Sequence, residues 1–231
     1  MNEFALSIAR NKVVRGILLC IPRSNLFRKN RIKKYLKSTE SPKLQIGCGG
    51  NMLDGWLNTG ISFKEAWHGV YLDAGKSFPL SDESFDYVYS EHLFEHLTYN
   101  QGVNMLKESY RILKPGGLIR IATPDLKFLL GLYKEPEKPL HKEYMEFSVR
   151  KSEMPAIPVY VINQFHTSWG HQIIYDQETL GQLLKDIGFK DIKACEVGES
   201  VHTDLQNLEA HFKVFTKEFN QLETMILEAT K

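Results

Sequence analysis

The chain has 231 residues, 42% of them hydrophobic, enough to bury one full core with an arm, and it holds no internal repeat or low-complexity tract. No apolar run approaches the ~20 residues of a membrane span. Arg15 and Arg23 break the one early apolar stretch, which argues against a secretory leader, and three scattered cysteines without a CxxC pair point to a reducing, cytoplasmic setting and no structural metal.

The net charge of +1 hides a division. Residues 1–37 hold ten basic side chains against one acid, Glu3, so this stretch carries +9 and the remainder −8. Residues 1–40 are predicted to form a basic helical arm. It reads as a helix packed on the acidic body. The sharper alternative is an arm that holds an anionic acceptor, or a peripheral membrane contact through Phe4, Ile8, Val13, Ile17 and Leu18. Nucleic acid is argued against, because Phe27 and Tyr35 offer little base stacking and the acidic body repels phosphates.

Ser41-Pro42 ends the arm, and residues 41–231 read as one domain. "KLQIG", "GWLNTGI", "GVYLDA" and "SFDYVYS" are four predicted strands. A helix over 101–113 comes next, with Val103, Leu106, Tyr110 and Leu113 on one face. Pro115-Gly116-Gly117 stops it and leads into a fifth strand, "LIRIAT". Residues 124–175, with five prolines and eight aromatics, break this alternation and read as a cap inserted after strand 5, over an acceptor pocket. Asp176 caps a further helix that carries Leu180, Leu183, Leu184 and Ile187 inward and stops at Gly188. "DIKACEV" and "LETMILEAT" supply two late strands. Apolar strands alternating with helices or loops indicate an α/β fold with a mostly parallel sheet covered on both faces.

The segment "LQIGCGGNMLDGWLNTGI" limits the ligand. A dinucleotide fingerprint needs a third glycine where Met52 stands, and the eight residues from Cys48 to Gly55 are fewer than the ~10–12 of a helical crossover. The turn also lacks a Gly-Lys-Ser/Thr, which removes a phosphate-binding loop. S-adenosylmethionine suits the turn better. It is cationic and phosphate-free, so it needs close backbone approach rather than a helix dipole. Asp73 and Ala74 end a strand where they can meet an adenine, and Ser90, Glu91 and His92 end the next one at the same crevice.

"LQIGCGG", "LDAGKSFPLSDESFDYVYSEHLFEHL" and "RILKPGGLIRIATPDL" together resemble the successive motifs of class I S-adenosylmethionine-dependent methyltransferases, and most closely a small bacterial "GWLN" group of the type 11 domain family. The resemblance covers about residues 42–125, with "GHQIIYDQETLGQLLKDIGF" similar to the family's final helix and strand. It implies a Rossmann-like, doubly wound seven-stranded sheet of order 3-2-1-4-5-7-6 with strand 7 antiparallel. The cofactor-binding set then comprises Gln45, Gly47, Cys48, Gly49, Asn58, Thr59, Gly60, Asp73, Ala74, Ser90, Glu91 and His92. One departure stands out. Relatives close the second strand with an acid that grips the ribose, where this chain has Gly60; Asn58 or Glu65 is left to substitute.

The activity implied is methyl transfer, read here as O-methylation of a small molecule or of a glycan or lipid-linked acceptor. Candidate bases are His92 at the crevice and His166 and His171 in the cap. Gly60 keeps open a second reading, a module that binds the cofactor without turning it over. "HLFEH" also matches the H-x-x-E-H pattern of zinc hydrolases, but no third ligand is marked in the sequence, so no metal is assigned.

Overall fold

The computed structural model describes residues 24–210 and 216–231, and the apolar positions from Phe4 to Leu18 lie outside them. Helix α1 (Asn25–Lys37) begins at Ser24, whose hydroxyl accepts from the Phe27 amide as an N-cap. It lies on the body. Ile32 is buried in the main core with Tyr35 and Leu36 packed beside it, and the Tyr35 hydroxyl is 2.9 Å from the Lys43 carbonyl. Lys29, Lys33, Lys34 and Lys37 stay at least partly exposed.

Next come β1 (Lys43–Ile46), β2 (Leu57–Gly60), α2 (Phe63–His68), β3 (Val70–Tyr71) and β4 (Phe85–Glu91). No helix joins β1 to β2, in keeping with their short separation. Helix α2 is absent from the sequence reading. It is six residues long and held by a capping box in which Ser62 Oγ accepts from the Glu65 amide while the Glu65 carboxylate accepts from the Ser62 amide.

Helix α3 (Tyr99–Ile112) leads into β5 (Leu113–Pro124). Its buried face carries Met105, Leu106, Ser109 and Ile112. The expected line through Val103 and Tyr110 is rotated outward, and Tyr110 packs edge-on against Phe189 at 5.0 Å instead. The cap is helical: α4 (Leu126–Lys134), α5 (Pro139–Val149) and α6 (Pro158–Thr167). Pro139 and Pro158 open helices, where a missing amide costs nothing. The three helices share a separate apolar cluster that includes Phe128, Leu132, Tyr144, Met145, Val161 and Phe165.

Helix α7 (Gln177–Ile187), β6 (Lys190–Cys195), α8 (Lys217–Glu223) and β7 (Thr224–Thr230) complete the order. Asp176 caps α7 by accepting from the Thr179 amide, and Gly188 ends it at φ +117°. The sheet runs β3-β2-β1-β4-β5-β7-β6, with β1 to β5 parallel and β7 antiparallel to both neighbours. This matches the order and the single reversed strand implied by the resemblance. The six other strands therefore end at one edge, where a ligand crevice forms. Among the described residues no helix is long and apolar enough to cross a membrane.

One polar group lies deep in this sheet. Arg120 on β5 is fully buried, and its guanidinium donates to Glu209 at 2.7 Å, to Glu228 of β7 at 2.6 Å and to the Glu199 carbonyl at 2.9 Å. It ties the segment after β6 to the sheet. That segment runs to Ala210, whose amide donates to Glu91 at the crevice.

Candidate active site

The turn after β1 holds Gly47 at φ +69° and Gly49 at φ +51°, in the left-handed region that side chains disfavour. A Cβ on Gly47 would come 2.9 Å from the Leu93 side chain, whereas one on Gly49 would meet nothing within 4 Å. A side chain at Gly47 would thus have to displace Leu93, and Gly49 opens onto a cavity. Gln45, Asn58 and Thr59 build the turn. Gln45 donates to the Asn51 carbonyl, Thr59 donates to the Gln45 carbonyl, and Asn58 clasps both the amide and the carbonyl of Leu53. The side-chain polar atoms of Asn58 and Thr59 thus bond within the chain, and neither residue lines the cavity described below. Burial and the nearby Glu65 charge push the Cys48 thiol up to about 11, which leaves it inert as a nucleophile.

At the end of β2 a Cβ on Gly60 would overlap the Glu65 carboxylate and lie 2.8 Å from the Glu65 Cβ. The Glu65 carboxylate of α2 therefore occupies the space that a side chain at position 60 would need. Asp73 accepts from the Gly75 amide at 3.1 Å and faces Lys76 at 3.2 Å. Ala74 is buried, and the hydroxyl of buried Ser90 has no hydrogen-bond partner. Asp73, Ala74 and Ser90 lie after or at the ends of strands at the crevice edge, outside the cavity lining.

That cavity has a volume of about 740 Å³. It runs from Gly47–Asn51 past Glu91, His92, Glu95 and His96 to Tyr144, Phe147, Phe165, Trp169 and His171 of the cap region, with Arg150 and Lys151 also on its wall. His92 adopts φ +45° just past β4, ahead of a 3-10 turn over Phe94–His96. The two histidines of "HLFEH" are thus not stacked one α-helical turn apart. His92 Nδ1 lies 3.4 Å from Glu95 and 4.0 Å from Glu223, and its Nε2 is 3.1 Å from the Thr224 hydroxyl. Burial opposes charge on His92, but the close contact with the Glu95 carboxylate and the charges of Glu95 and Glu223 prevail and raise its pKa. Burial likewise opposes charge on Glu95, whose pKa is nevertheless lowered by His92.

Among the cap histidines, His171 lines the cavity with its Nδ1 2.8 Å from the Phe165 carbonyl, while burial lowers its pKa. His166 is exposed on α6 and does not line the cavity. Glu223, Tyr144, Arg150 and Lys151 were not singled out from sequence. Glu223 had no local signal, being 131 positions from His92 along the chain. Burial raises its pKa, and the Tyr144 hydroxyl donates to it.

Residues 44–121 match the family model described as "Methyltransferase domain". That stretch, which carries the glycine turn, is similar to a methyltransferase domain. A SAM-dependent methyltransferase from Archaeoglobus fulgidus has a similar fold, at 20% identity and a TM-score of 0.50, over 91% of this chain and 96% of that one. An S-adenosylmethionine-dependent methyltransferase from Mesorhizobium loti superposes with a TM-score of 0.50 at 14% identity, over 91% of this chain and 100% of that one. No curated protein matches the sequence significantly. The matched residues hold the glycine turn with β1 to β4 and most of β5, and the cap lines the far end of the cavity.

Proposed function

We propose that the protein transfers a methyl group from S-adenosylmethionine to a hydroxyl of an acceptor held beneath the cap, a small molecule or a glycan or lipid-linked precursor. One observation carries this reading: a single cavity joins the glycine turn to the cap, with imidazoles on the wall between them. The residues fit the cofactor. Gly49 faces open space where its methionyl end can lie against the backbone, and Glu65 and Glu91 offer negative charge near that turn. When bound, S-adenosylmethionine supplies a methyl group already activated by its sulfonium.

The protein's own contribution is then positioning and proton management. Phe147, Phe165 and Trp169 give the acceptor apolar walls, His92 and His171 are placed to handle its hydroxyl proton, and Arg150 and Lys151 favour an acceptor bearing negative charge. The lysines of α1 lie on an element that also exposes Leu26, with half-exposed Trp67 stacked on Phe27, a surface suited to anionic or membrane-borne acceptors.

Calorimetry with S-adenosylmethionine and S-adenosylhomocysteine, then labelled methyl transfer to glycan, lipid and small-molecule fractions, tests the proposal. Binding of both with label appearing in an acceptor hydroxyl is the expected result. Binding without turnover on any fraction would favour the cofactor-sensing module, and binding of neither would reject both.

A further inference from the structure

Glu95, His96 and His171 come together in the wall of the cavity, although the last lies 75 positions from the second in the sequence. One potential ligand atom from each lies within 4.8 Å of the others. Two pieces of chain bring them there. Glu95 and His96 belong to the 3-10 turn after β4, and the extended run after the cap is clamped on that turn because the Gln172 and Ile173 amides both donate to the Glu95 carbonyl, at 2.7 and 3.2 Å. The rings of His96 and His171 meet edge to face with centroids 4.8 Å apart.

The hydrogen bonds around the cluster leave lone pairs for a ligand. The Glu95 carboxylate has no solvent exposure. Its Oε2 accepts from the Thr123 hydroxyl at 2.9 Å, while Oε1 makes no hydrogen bond of normal geometry, with His92 Nδ1 at 3.4 Å and His96 Nε2 at 3.9 Å. His171 Nδ1 faces the Phe165 carbonyl at 2.8 Å, and a carbonyl only accepts. The proton of the neutral ring therefore resides on Nδ1, and Nε2 keeps its lone pair. That is how a protein orients a ligating histidine through its other nitrogen. The Thr123 hydroxyl does the same for the carboxylate.

We propose that Glu95, His96 and His171 form a binding site for one divalent first-row transition ion, Zn²⁺ being the probe of choice. Two imidazoles and a carboxylate are a ligand set that suits zinc, iron or manganese and leaves at least one coordination position open. Metal–ligand distances of ~2.0–2.2 Å require the three atoms to draw together by about an ångström, through side-chain rotation. His92 is the neighbour and not a ligand, since its Nε2 is taken by Thr224. The H-x-x-E-H pattern thus contributes its last two residues, and the third ligand, which the sequence does not mark, comes from the end of the cap.

The ion has two consequences. It cross-links the cap to the end of the sheet, because His171 and Glu95 belong to different parts of the fold. It also presents its open position to the cavity. There, resting on the methyl-transfer reading above, it would bind the acceptor oxygen and ease loss of that hydroxyl's proton to water. His171 then acts as ligand rather than base.

Full-length protein stripped with a strong chelator and titrated with ZnCl₂ in a calorimeter should bind one Zn²⁺ per chain and melt at a higher temperature once loaded. Zinc should also slow proteolysis within residues 124–175, and MgCl₂ should do neither. Glu95→Gln, which keeps the shape, and His171→Ala should each weaken zinc binding by at least about a hundredfold, with the surface variant His68→Ala unchanged. Failure of the wild type to bind zinc, or zinc binding by both ligand variants as tight as wild type, overturns the site. S-adenosylhomocysteine affinity, measured on the same samples, separates the two proposals: intact cofactor binding without zinc binding sinks the metal site alone, and the converse sinks the methyl-transfer reading alone.

Discussion

The carboxylate of Glu65 occupies the space that any side chain on Gly60 would need. From sequence, an acid at position 60 reads as a gain in cofactor affinity of about tenfold. The geometry reverses that sign. Gly60→Asp would press two carboxylates together and break the capping box of α2, which rests on the 3.0 Å contact from the Ser62 amide to Glu65. The variant should lose about 1–3 kcal/mol of stability and bind S-adenosylhomocysteine more weakly. Glu65→Gln should keep its melting temperature within a few degrees and lose about tenfold in affinity, or ~1.4 kcal/mol. Tighter binding by Gly60→Asp in calorimetry would sink this account.

Gly49 and Gly47 should respond differently. Gly49→Val puts a side chain into the cavity with no protein atom in its way, at a backbone angle that costs about 1–3 kcal/mol. A folded protein that no longer binds S-adenosylhomocysteine is expected. Gly47→Ala drives a methyl group against Leu93 and should lower the melting temperature further while blocking the ligand less. Thermal melts and calorimetry on both variants check the contrast.

Acid sensitivity is expected at Glu108. Its carboxylate accepts from Arg111 at 2.7 and 3.0 Å, from the Phe78 amide at 2.6 Å and from Ser77 at 3.2 Å, pinning the segment before β4 to α3. The Arg111 hydrogen bond leads in lowering its pKa below the ordinary carboxylate value. A depressed carboxylate contributes stability above its unfolded pKa of about 4.3, and that contribution disappears as pH falls through the folded value. Glu108→Gln should therefore be less stable than wild type by about 1–2 kcal/mol at neutral pH, and urea titrations should show the gap closing below about pH 4.

Arg120 is the most consequential buried charge. Arg120→Met leaves Glu209 and Glu228 facing one another without a cation, and should cost about 3–5 kcal/mol. Adding Glu209→Gln and Glu228→Gln should recover much of that loss in a denaturant titration. A single variant as stable as wild type would show that the buried triad contributes little.

Much of the architecture was legible locally. The apolar strands, the Gly188 stop and the Asp176 cap are short-range patterns, and each strand named from sequence is present. The prolines of the cap were harder to read. They look like breakers, yet Pro139 and Pro158 start helices, a role set by the helix-forming residues on their C-terminal side. Helix α2 was missed because six residues carry too little periodicity to register.

The sequence by itself determined the parallel sheet, the glycine turn and a cap at the strand ends, because burial period and backbone freedom are written in neighbouring residues. Tertiary structure alone decided which polar groups meet. Glu65 fills the space beside Gly60 because α2 folds its first turn back on the end of β2. Glu223 reaches His92 because α8 delivers the chain to the start of β7, which pairs antiparallel with β5. His171 reaches Glu95 because the run after the cap hydrogen-bonds to the turn beyond β4. These side chains act through proximity in space, and the sheet's crossovers set that proximity across separations that no local pattern spans.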